Sequence, residues 1–154
     1  MDKYEKLISE TPQDVTIDEN YPFKGKLSGL YVDGNIALSD KLKTSKEKAC
    51  VLAEELGHHH TSHGNIIDFN KVSNRKQEHR ARMWAYNKMV GLMGLIKAFE
   101  RKCHDMSEMA DYLDVTEEFL KETINYYATK YGTHTTVDNY IVFFAPSFGV
   151  LKLI

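Results

Sequence analysis

Residues 54–58 read Glu54-Glu55-Leu56-Gly57-His58, one letter away from the H-E-x-x-H signature, in which two histidines one helical turn apart grip zinc while the glutamate between them activates water. On a helix, positions four apart share a face, so Glu54 and His58 can reach one ion. Glu55 then sits beside that ion without ligating it, where a general base belongs. Sliding the register by one makes Glu55 and His59 the ligands but puts Leu56 in the base position, and leucine accepts no proton. The chemistry favours Glu54 and His58 as metal ligands and Glu55 as base.

A catalytic zinc usually takes three protein ligands and keeps a fourth position for water. The best third donor is Glu78, three residues before Ala81, where the apolar stripe of a second helix begins. His63 and His79 are weaker contenders: His63 requires the first helix to continue almost to Gly64, and His79 points one step away from Glu78. His59 and Tyr86 are candidates to support an oxyanion or the substrate.

Each residue also has an ordinary reading. Glu54 and Glu55 could be a solvated acidic pair. Glu78 could be a first-turn acid favouring the helix dipole, and the consecutive histidines an adventitious metal-binding tract. Their combination in this order is what suggests a protease layout.

One imidazole and two carboxylates would neutralise the charge of zinc, whereas two histidines and one carboxylate leave the site positive. The substituted centre is expected to be a weaker Lewis acid. It should also admit harder ions such as Mn2+ beside Zn2+. Replacing Glu54 by histidine is expected to tighten zinc binding.

The elements that must position these residues are partly readable. "KLSGLYVDGNIALS" alternates around Asp33-Gly34 as a hairpin would. "TSKEKACVLAEELGHH" opens with Thr44 and Glu47 at capping-box spacing and predicts an amphipathic helix ending near Gly64. A second helix is expected from Ser73 or Asn74, with Ala81, Trp84, Ala85, Met89, Leu92, Ile96 and Phe99 on one stripe. Gly91 and Gly94 weaken it locally and would let another backbone approach. "SEMADYLDVTEEFLKETINYYATKYG" predicts a short helix, a turn at Asp114-Val115, and a helix capped by Thr116 that ends near Gly132. The tail "DNYIVFFAPSFGVLKLI" predicts one or two strands interrupted at Pro146.

At 154 residues the chain can form one domain with a real core. Its 42% hydrophobic and 27% charged content is that of an ordinary globular protein. No apolar run is long enough to span a membrane and "MDKYEKLISE" lacks the apolar stretch of a signal peptide, so a cytoplasmic location is expected. Cys50 and Cys103 are then expected to be reduced. The net charge of -2 gives no broad attraction to nucleic acid. Direct DNA binding through residues 106–131 is disfavoured, because Glu117 and Glu118 open its second helix and would repel phosphates.

Three segments in order, "GLYVDGNIALSDKL", "CVLAEELGHH" and "RKQEHRARMWA", resemble the ImmA/IrrE family of metallopeptidases of bacteria and mobile elements. The third is similar to the family's E-x-x-A-x-x-[FW]-A pattern, and "MADYLDVTEEFLKETINYY" looks like the helical unit that follows the family's core. The resemblance implies an α+β fold: a zincin-like core with a small antiparallel sheet over residues 1–102, then a helix-turn-helix-like segment and C-terminal strand over 103–154. It implies that His58 and Glu78 hold the metal, that Glu55 polarises water, and that the early strand offers an edge to an extended substrate. The implied function is a metal-dependent endopeptidase that cleaves a helix-turn-helix repressor of a phage or mobile element. The alternative is a weak or inactive relative that regulates by binding the repressor or another phage regulator.

Overall fold

The computed structural model describes residues 1–62 and 71–154, the side chains of 71–74 excepted. It divides into two compact units, Met1–Lys88 and Met89–Ile154.

The N-terminal unit opens with α1 (Lys3–Glu10); Asp2 caps it by accepting the Glu5 N–H at 2.8 Å. Three strands follow, β1 (Thr16–Tyr21), β2 (Gly29–Val32) and β3 (Asn35–Ser39), in the spatial order β1-β3-β2. The expected hairpin is present: β2 and β3 pair antiparallel, and both turn residues have positive φ, 47° at Asp33 and 80° at Gly34. The sheet as a whole is mixed rather than antiparallel, because β1 pairs parallel to β3.

Helix α2 (Ser45–Thr61) lies against β2 and β3 and also packs on α1. Thr44 caps it by accepting the Glu47 N–H at 3.1 Å, as the capping-box spacing required. Ile36 and Leu38 of β3, Leu52, Ala53 and Leu56 of α2, and Tyr4 and Leu7 of α1 are all buried in the core of this unit. The helix ends at Thr61, three residues short of the expected Gly64, with Ser62 as its C-cap. Helix α3 spans Lys71–Met89.

The long second helix expected through Phe99 is two helices. Val90 leaves helical geometry (φ -121°, ψ -73°) and Gly91 takes φ +69°, a left-handed value that only glycine adopts freely. The C-terminal unit therefore starts with its own α4 (Gly91–Glu100), followed by α5 (Met106–Leu113) and α6 (Glu117–Tyr131). The signals between the last two are local and were readable: Asp114 ends α5 with φ 57°, and Thr116 accepts the Phe119 N–H at 3.1 Å. Three strands, β4 (His134–Val137), β5 (Tyr140–Phe143) and β6 (Gly149–Lys152), form an antiparallel sheet, one strand more than expected. The predicted interruption at Pro146 separates β5 from β6.

Candidate active site

The site is assembled where α2 is approached closely from two sides. At Gly57 a Cβ would stand 2.3 Å from the Ala81 carbonyl oxygen, so the helices α2 and α3 touch main chain to main chain there. Ala81 is one turn beyond Glu78, and this contact brings Glu78 beside His58: His58 Nε2 and Glu78 Oε1 are 3.3 Å apart. On the other side, a Cβ at Gly29 would meet Val51 Cγ1 at 2.6 Å and Glu55 Oε1 at 3.1 Å, so β2 crosses directly over the Glu55 carboxylate. The close approach expected of Gly91 and Gly94 occurs elsewhere. Gly91 faces open space, and at Gly94 an added Cβ would meet side chains, Leu113 Cδ2 at 3.2 Å and Val90 Cγ1 at 3.9 Å.

Glu54, Glu55, His58 and Glu78 all line one cavity of about 530 Å³, whose opposite wall includes Leu27 to Tyr31. Glu55 is only 9% exposed. Burial is the main reason its carboxyl is raised to about 7; the Glu54 and Glu78 charges add to the rise and His58 partly offsets it. The hydrogen bond to Glu78 raises His58 above the usual imidazole range, against the opposing effect of burial. The same bond holds the Glu78 carboxyl below its ordinary value.

The other candidates lie elsewhere. His59 does not line the cavity; its Nδ1 is 2.8 Å from the Tyr31 hydroxyl and its Nε2 is 3.9 Å from Asp14 Oδ2. Tyr86 is buried in α3 and is also not part of the cavity wall, while His79 is exposed. His63 lies outside the described residues.

Three positions escape the sequence reading: Gly57, Gly29 and Tyr31. Gly57 does carry a signal, since glycine inside a helix costs about 1 kcal/mol relative to alanine and its presence calls for a packing reason. Gly29 and Tyr31 alternate onto the face of β2 turned to α2, but only the three-dimensional pairing shows what they meet.

The family model for the IrrE N-terminal-like domain, a peptidase family, matches residues 15–125. The chain belongs to that family. The ImmA/IrrE resemblance thus holds across β1 through most of α6, and the helices and small sheets fit the α+β, zincin-like fold of the family. No curated protein and no solved structure was found to match. Membership implies a metallopeptidase type of function and a metal cofactor, typically zinc. Among the described residues, no helix is long and apolar enough to cross a membrane.

The residues suit such an ion in kind, offering one imidazole and two carboxylates on a shared cavity wall. Two donors each about 2.0–2.1 Å from a tetrahedral zinc stand roughly 3.3–3.4 Å apart. The 3.3 Å between His58 Nε2 and Glu78 Oε1 matches that spacing. Among the described residues, no three His, Cys, Asp or Glu side chains are gathered at coordinating distance. Glu54 shares the cavity but has not converged on the other two as a third donor.

Proposed function

We propose that the chain is a metal-dependent endopeptidase of the cytoplasm that cleaves a helix-turn-helix repressor, with His58, Glu78 and Glu54 holding a divalent cation and Glu55 handling the proton. The observation that carries this reading is the buried Glu55 carboxyl in the cavity wall beside the His58–Glu78 pair, its proton affinity raised to near neutrality. A carboxyl tuned to that range can take a proton from an attacking water and return it to the leaving amine. A cation bound here would polarise the scissile carbonyl and favour ionisation of the water.

The rest of the cavity supports a peptide substrate. In the order β1-β3-β2, β2 is an edge strand, paired on one side only among the described residues, and its residues from Gly29 to Tyr31 line the cavity. An extended chain added to that edge would run past Glu55 with its backbone hydrogen-bonded to β2. The repressor as substrate rests on the family resemblance. The α5–α6 pair is the candidate for the helix-turn-helix-like segment, and the exposed Glu117 and Glu118 in the first turn of α6 argue against phosphate contact.

A second reading, regulation by binding without cleavage, is favoured by Glu54 standing where the H-E-x-x-H signature has histidine. Metal content by elemental mass spectrometry and cleavage of a candidate repressor separate the two. About one zinc or manganese per chain, lost in Glu54→Ala, His58→Ala and Glu78→Ala, together with cleavage abolished in Glu55→Gln, is expected. Tighter zinc binding in Glu54→His would place residue 54 among the ligands, and unchanged affinity would count against it. Full repressor inactivation by Glu55→Gln would leave only the binding reading.

A further inference from the structure

The three consecutive histidines at the end of α2 have three different surroundings. His58 faces Glu78, His59 meets the Tyr31 hydroxyl, and the His60 ring stacks on Trp84 with centroids 4.8 Å apart. Successive helix residues point about 100° apart, so His59 cannot serve an ion that His58 faces. It holds a strand residue instead.

Tyr31 is fixed from several directions. Its backbone pairs with Ile36 in the hairpin, and its ring lies parallel to the His58 imidazole, at 8° with centroids 6.5 Å apart. The same ring meets His59 edge-on at 5.6 Å, and its hydroxyl is 2.8 Å from His59 Nδ1. His59 Nε2 lies 3.9 Å from Asp14 Oδ2, beyond hydrogen-bond distance. The Tyr31 hydroxyl can pair with Nδ1 in either tautomer, donating to a bare Nδ1 or accepting from a protonated one.

We propose that Tyr31 and His59 act together as positioning residues for His58: the hydrogen bond between them locks the phenol ring alongside the imidazole, so that Nε2 is presented to the cavity beside Glu78. His58 then has the parallel Tyr31 ring 6.5 Å away, centroid to centroid, and the Glu78 carboxylate at Nε2. A ligand whose plane is set beforehand loses less freedom when it binds a cation. The inference deepens the proposed function, since it rests on His58 as a metal ligand.

The test uses the full-length chain and two readouts: zinc affinity by competition with a chromophoric chelator, and ring-to-ring NMR contacts of His58 in the zinc-free protein. Tyr31→Phe, which keeps the ring, and His59→Ala should each weaken zinc binding by about tenfold. The double variant should lose no more than either single one, because both remove the same hydrogen bond. His60→Ala should bind zinc as the wild type does, which separates positioning from general damage to the end of α2. Unchanged affinity in both single variants, or losses that add in the double, would overturn the proposal. If the wild-type chain binds no zinc, the metal reading of the site fails and the NMR contacts decide the positioning pair. Loss of the contact between residue 31 and His58 in Tyr31→Phe and His59→Ala upholds it, and persistence of that contact in both variants overturns it.

Discussion

In the N-terminal unit an ionisable side chain, Glu55, is packed under a strand at 9% exposure, with Glu54 and Glu78 adding negative charge nearby. In the C-terminal unit the buried polar side chain is Thr123, and its hydroxyl donates to the Phe119 carbonyl of its own helix at 2.8 Å. The second arrangement satisfies a small neutral group locally and asks nothing of distant residues. The first holds a group whose charged form is disfavoured, a condition that serves chemistry better than stability. The N-terminal unit sets a buried carboxyl beside its apolar core, whereas the C-terminal unit buries Leu95, Leu120, Tyr127 and Val142 with no carboxyl among them.

The sharpest way to break that contrast is to exchange each group for a near-isostere. Glu55→Gln should lower peptide cleavage by about 10²–10⁴-fold, the usual worth of a general base. Thr123→Val should leave cleavage unchanged and cost at most about 1 kcal/mol in urea unfolding.

Stability of the metal-free protein should respond to Glu55 in the opposite direction. Its carboxyl is raised in the folded chain from 4.5 to about 7, so the folded state holds a proton that the unfolded state has released between those values. The favourable contribution is complete below pH 4.5 and is lost as pH rises through about 7. Glu55→Gln should therefore stabilise the chelator-treated protein by roughly 3 kcal/mol at pH 8 and by almost nothing at pH 4, measured by urea unfolding. Equal gains at both values would mean that the carboxyl is not held neutral by burial.

Glycines provide a third comparison. Gly57→Ala drives a Cβ to 2.3 Å from the Ala81 carbonyl oxygen and should cost about 1–3 kcal/mol while also weakening zinc binding. Gly94→Ala meets the ends of the Leu113 and Val90 side chains, at 3.2 and 3.9 Å, and its cost should be offset by a helix-propensity gain of about 1 kcal/mol. Thermal unfolding of the two variants would expose any error in this ranking. Thr116→Ala, which removes the α6 cap, should cost about 1 kcal/mol without altering zinc affinity.

What could be read in the sequence follows the same division. Thr44, Asp114 and Thr116 act on backbone groups within a few residues, so their types and spacing are informative by themselves. The shared face of Glu54 and His58 is likewise a property of one helix. Strand β1, "TIDENY", is almost entirely exposed and lacks a clean alternation, and its parallel pairing with β3 is settled by contacts nearly twenty residues away. The end of α3 was hidden because the apolar stripe continues in step through Met89, Leu92 and Ile96, while the chain turns at Gly91. Gly57 was present in the motif, but its partner Ala81 lies on another helix.

That contact between Gly57 and the Ala81 carbonyl also acts as a ruler. It sets the distance from the Glu54–His58 face to Glu78 by main-chain atoms, which a change of side chain elsewhere does not move. The identity of residue 54 can then be exchanged between a carboxylate and an imidazole without rebuilding the scaffold around it. Substitutions at residue 54 can therefore be compared on one fixed frame.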